Sequence, residues 1–100
     1  MNKIIKMVDM GLNTEPRFKL PEKFNELSEE TKKHVQKEVE YATSLREEIH
    51  KIMEEDGACR LSWSCTGRTR HEMHAQQWAA ALPEYDFQIG YNYECVVTKK

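Results

Sequence analysis

The chain lacks most of the features that assign a protein to a class at sight. No apolar run approaches the 18 residues needed for a membrane-spanning helix. The opening Met1-Asn2-Lys3-Ile4-Ile5-Lys6-Met7-Val8-Asp9 is broken by charge before seven apolar residues accumulate, so no secretory leader is expected. There are only three cysteines, an odd number, which without a leader reads as reduced thiols in a cytoplasm. A basic excess is also missing. Fifteen Lys and Arg stand against 17 Asp and Glu, for a net charge of −2, which argues against a dedicated DNA-binding protein. Internal repeats and low-complexity segments are absent.

What remains is a chain of 100 residues, enough for one domain. A domain of this size buries roughly 60–65% of its unfolded surface, which leaves little room for an enclosed ligand cavity. Apolar residues make up 39% and charged residues 32%, yet the apolar ones recur with regular spacing, which marks a folded chain with a charged surface. Charge is unevenly spread. Residues 22–56 hold eleven acids and six bases, whereas residues 57–82 hold Arg60, Arg68 and Arg70 against Glu72, with His71 and His74 nearby.

The dominant feature is a helix over residues 28–55. Ser28 has the chemistry of an N-cap, and Glu29 and Glu30 suit the positive helix end. Val35, Val39, Ala42, Leu45, Ile49, Ile52 and Met53 recur at steps of three and four, within an arc of about 140°. Such a rod is about 42 Å long, more than a compact domain of this size spans. Gly57 is placed to end it.

Around this helix the spacing predicts a strand over residues 3–10, then a punctuated loop from Gly11 to Pro21 and a short helical turn through Leu27. Residues 58–66 alternate, with Cys59, Leu61, Trp63 and Cys65 on one face. Thr69 and Glu72 have capping-box spacing for a second helix over about residues 70–82, with Met73, Trp78, Ala81 and Leu82 as its inner stripe and Pro83 as its end. Tyr85 to Val97 alternates again, either as one bulged strand or as a hairpin about residues 90–92. The expected fold is α+β, in the order β-α-β-α-β. It has a small, mostly antiparallel sheet of three to four strands with both helices on one face.

The segment Ser64-Cys65-Thr66-Gly67-Arg68-Thr69-Arg70-His71 runs from a strand end into a helix start, where backbone amides attract anions and lower a thiol's pKa. The fragment Cys65 to Arg70 resembles the six-residue active-site loop of rhodanese-type sulfurtransferases in length and in its terminal Arg. The resemblance covers only these six residues. Gly67 sits one position early, and the family's acidic and Gly-His landmarks are missing. It implies Cys65 as nucleophile and Arg70 as anion ligand. The same fragment is one residue short of the cysteine-phosphatase spacing. Against this, Cys65 reads as a core-facing strand residue and Arg68 and Arg70 as solvated arginines. No catalytic residue is therefore assigned, and the balance leans away from an enzyme.

Cys59, Cys65, His71 and His74 run in an order that suggests a metal. However, the two cysteines stand six residues apart on one strand, about 20 Å, and His71-Glu72-Met73-His74 lacks the four-residue histidine spacing of zincins. No metal or cofactor is expected. Arg60, Arg68 and Arg70, with Trp78 as a stacking ring, would be the groups for a nucleotide or RNA. Both tryptophans fall on faces expected to be buried.

Glu38 and Arg46 fall inside the apolar arc of the long helix, where charges can set pairing with another subunit or partner. Tyr85, Tyr91 and Tyr93 suit an interface as well. The leading expectation is a non-enzymatic cytoplasmic interaction protein that binds and modulates or inhibits a larger macromolecule. Its small size and heavy charge suit an accessory protein of a phage or mobile element acting on a host. The expected partner is a protein, with a homodimer through the long helix, and the expected contact residues are Glu38, Arg46, Arg60, Arg68, Thr69, Arg70, His71 and His74. The alternative is an anion or nucleotide site at Cys65–His71.

Overall fold

The computed structural model describes residues 5–12, 14–64, 67–90 and 95–100, apart from the side chain of Arg68. The elements are β1 (Met7–Asp9), a 3-10 turn at Phe24–Glu26, α1 (Glu29–Asp56), β2 (Ala58–Ser62), α2 (Arg68–Ala81), β3 (Tyr85–Ile89) and β4 (Cys95–Lys99). Two helices and a four-stranded sheet make an α+β fold.

The sheet order is β1-β2-β4-β3. It is mixed. β1 pairs with β2 in parallel, while β4 runs antiparallel to both β2 and β3. Two of the three pairings are antiparallel, as a mostly antiparallel sheet requires, and the parallel one has a physical reason. Two parallel neighbours need a long crossover, and α1 supplies it. Beyond the strand ends, the Met10 amide donates to the Ser62 carbonyl at 2.8 Å and the Ser64 amide to the Gly11 carbonyl at 2.8 Å. At the C-terminus β3 and β4 form a hairpin, with Ile89 opposite Cys95, rather than one bulged strand. Its connecting residues 91–94, which include Tyr91, Asn92 and Tyr93, lie outside the described residues.

Helix α1 matches the cues that predict it. The Thr31 amide donates to the Ser28 hydroxyl at 3.2 Å, and Ser28 is the N-cap. Gly57 ends the helix in the left-handed conformation, φ 74°, where a side chain would be strained. Helix α2 departs from its expected start. It begins at Arg68, and its N-cap is Gly67, which has no side chain to cap with, so Thr69 lies inside the helix rather than opening a capping box.

Sheet pairing places Val8, Leu61, Cys95 and Ile89 in one row and Cys59, Val97 and Phe87 in the next. Apart from Ile89, which is exposed at the sheet edge, these rows meet Ala42, Leu45, Ile49, Ile52 and Met53 of α1 and Ala75 and Trp78 of α2 in one core cluster, so both helices cover the same face of the sheet. Full burial of each large aliphatic here contributes about 1.5–3 kcal/mol. The opposite row, Met7, Arg60, Val96 and Gln88, faces away from this core. Met7 is exposed and Arg60 is partly buried.

The inner stripe of α2 is shifted from the expected one. His71, His74, Ala75 and Trp78 are buried, followed by Leu82 at the helix end, whereas Met73 is 47% exposed. The molecule measures 54 × 30 × 19 Å. The buried residues of α1 all lie at or beyond Ala42. Among the described residues, no helix is long and apolar enough to cross a membrane.

Candidate partner-binding cleft

The first half of α1 is where the surface becomes concave. Glu38 and Tyr41 form one wall of a cleft of about 480 Å³, and Leu12, Thr14, Glu15 and Arg17 of the loop after β1 form the other. That volume falls within the range of ligand pockets.

The loop wall is held at several points. The Gly11 amide donates to Asp9 Oδ1 at 3.0 Å. Gly11 itself has φ 75°, where a side chain would be strained, and a Cβ there would press on Thr14 Oγ1 at 3.2 Å and the Tyr41 hydroxyl at 3.3 Å. The buried Trp78 indole N–H donates to the Thr14 carbonyl at 3.0 Å. Phe18 packs edge-on against Trp78, with centroids 5.6 Å apart, and carries the Arg46 guanidinium 4.3 Å above its ring. Further along, the Lys32 ammonium lies 5.9 Å from the Phe24 ring. Residues 18–24 therefore run back along α1 as a strap pinned at both ends.

The charges of the cleft are partly matched. Arg17 Nε lies 3.2 Å from Glu15 Oε2. Glu38 Oε1 lies 3.0 Å from His34 Nε2, one helical turn earlier. Leu12 is 61% exposed and Tyr41 46%, so two large apolar side chains flank the opening. This arrangement has the amphipathic character of an interface anchor, in which Tyr and Arg are over-represented.

The residues singled out from sequence separate into distinct places. Glu38 lines the cleft, and Arg46 stands behind it on Phe18. Thr69 and Arg70 are exposed at the start of α2, and Arg60 lies on the other face of the sheet. Cys65, the alternative nucleophile, lies outside the described residues, as does the Arg68 side chain. His71 and His74 are 1% and 4% exposed, core residues rather than surface ones. Trp63 packs edge-on against His71 at 5.4 Å and stacks on His74 at 6.2 Å, so the histidines extend the aromatic part of the core. The helical step from 71 to 74, 75 and 78 carried the signal for this, and polarity obscured it.

The two described cysteines are poor nucleophiles. Burial, with Glu48 adding, pushes the Cys59 thiol up to about 11. Burial, with Cys59 adding, pushes Cys95 up to about 12. Sequence reasoning also missed a group at the far end of α1. His50 Nδ1 shares a hydrogen bond with the Tyr85 hydroxyl, and His50 Nε2 lies 3.8 Å from Glu84 Oε1. Burial first, then Glu84, Glu54 and Cys59, raise the Tyr85 hydroxyl pKa. Tyr85, expected at an interface, is therefore tied to α1 within the fold.

No family model, curated protein or solved structure matches this chain.

Proposed function

We propose that the protein is a non-enzymatic interaction module that binds a larger macromolecular partner, most naturally a protein, and modulates or inhibits it. The observation that supports this reading is the cleft. Leu12 and Tyr41 leave apolar surface exposed beside Arg17 and Glu38, along the stretch of α1 before Ala42 that contributes no buried residue. Affinity capture from host lysate tests it, comparing the native chain with Tyr41→Asp and with Arg70→Ala. A partner recovered in stoichiometric amount by the native chain and by Arg70→Ala, but lost with Tyr41→Asp at unchanged circular dichroism, supports the cleft. Equal recovery by all three chains, or recovery of nothing, overturns it.

A second reading takes an anion at the segment Cys65–His71. It is favoured by an α2 start whose N-cap is a glycine and which carries Thr69 and Arg70 exposed. Loss of phosphate or nucleotide binding in the double variant Arg68→Ala, Arg70→Ala supports it. Alkylation of Cys65 no faster than that of free cysteine removes its catalytic version.

A further inference from the structure

We infer that the cleft receives a cationic side chain, lysine or arginine, presented by a basic segment of the partner. The inference rests on the cleft being the binding surface and specifies its occupant. The lining combines what a long basic side chain needs. Leu12 and Tyr41 offer an apolar wall and an aromatic face to an aliphatic stem and its cation. Glu15 and Glu38 supply carboxylates. Arg17, the one cation in the lining, already lies 3.2 Å from Glu15, so Glu38, whose ion-pair partner among the described residues is His34, is the carboxylate left for an incoming cation.

The surroundings are close to neutral. Residues 12–42, which contain the whole lining, hold seven acids against six bases, so the preference for a cation is set by the carboxylates inside the cleft rather than by long-range steering. An acidic occupant would meet repulsion from Glu15 and Glu38, and a purely apolar one would bury Glu38 with His34 as its ion-pair partner among the described residues.

The test is a nuclear magnetic resonance titration of the full chain with Nα-acetyl-arginine amide and with its neutral isostere, Nα-acetyl-citrulline amide. The arginine derivative should give saturable shifts at Leu12, Thr14 and Tyr41 in the millimolar range, and the citrulline derivative should bind about fivefold more weakly, the effect of a partly exposed charge pair worth roughly 1 kcal/mol. Glu38→Gln should weaken the arginine derivative by a similar factor, and Arg17→Ala should tighten it. Equal binding of the two derivatives, or no saturable shift at these residues, overturns the inference. Capture sensitive to Tyr41→Asp, with no preference for the arginine derivative, would remove the cation and leave the interaction reading standing.

Discussion

Replacing Trp78 with Phe tests how the cleft is built. The Trp78 ring is fully buried, packs against Phe18 and donates its indole N–H to the Thr14 carbonyl at 3.0 Å. Phenylalanine removes the donor and fills the space less well. The hydrogen bond contributes about 1 kcal/mol net, and water can reach the half-buried Thr14, so its carbonyl carries no full desolvation penalty. The void left by the smaller ring costs about 1 kcal/mol more. Together these predict a loss of about 2 kcal/mol, or a melting temperature lower by about 8–16 °C for a domain of this size. Urea unfolding followed by far-ultraviolet circular dichroism measures the loss, with an unchanged denaturant slope showing that only stability has moved. Hydrogen exchange supplies the local readout. Amides of residues 11–18 should exchange faster by more than the global change accounts for. A loss below about 0.5 kcal/mol with unaltered exchange in this loop would refute the assignment of Trp78 as its anchor.

Other substitutions and conditions separate the remaining forces. Gly57→Ala places a Cβ where nothing lies within 4 Å, so its cost is the left-handed backbone alone, about 1–2 kcal/mol by thermal unfolding, with Gly57→Asn costing less. His74→Leu swaps a buried ring, whose Nε2 has no hydrogen-bond partner among the described residues, for an apolar side chain, so stability should stay within about 1 kcal/mol of the native value or rise. A larger loss would show that the Nδ1 hydrogen bond to Gln77 Oε1 and the stack on Trp63 outweigh the unpartnered Nε2. The buried thiols predict alkaline sensitivity. Their folded values of about 11 and 12 lie above the ordinary 9.0, so the folded state holds protons that the unfolded chain has released. They leave stability unchanged below pH 9, and it falls as pH rises from there toward their folded values, with a slope approaching about 1.4 kcal/mol per pH unit for each thiol. Urea midpoints across that window should flatten in the Cys59→Ala, Cys95→Ala double variant.

Much of the fold was legible because several kinds of signal agreed. In α1 a capping serine, a run of apolar residues at helical spacing and a terminal glycine all marked the same element. In β2 the alternation of Cys59, Leu61 and Trp63 gave the buried face directly. Helix α2 was harder because its inward positions 71 and 74 are histidines and its outward position 73 is a methionine, so residue type and helical spacing conflicted. Spacing prevailed, since an imidazole stacked on Trp63 fills core volume as a hydrocarbon would. The parallel pairing of β1 with β2 was legible only from connection length, as a helix as long as α1 between two strands permits it. Of the cleft, Glu38 stood out as a charge in an apolar arc, and Arg46 marked the place where Phe18 docks. Leu12, Thr14, Arg17 and Tyr41 carried no pattern of their own, because a loop wall is assembled by long-range contacts such as Trp78 to Thr14.

The placement of every buried α1 residue at or beyond Ala42 divides the helix into two energetic regimes. Opening the second half means exposing the core. Opening the first half gives up chiefly backbone hydrogen bonds, the Ser28 cap and the contacts of the strap. Protection from exchange should therefore climb along one continuous helix, low at Glu29 and close to the global value by Ile49. The wall carrying Glu38 and Tyr41 lies on the low side of that gradient. An arriving partner can reshape it at small cost while the sheet behind it stays fixed.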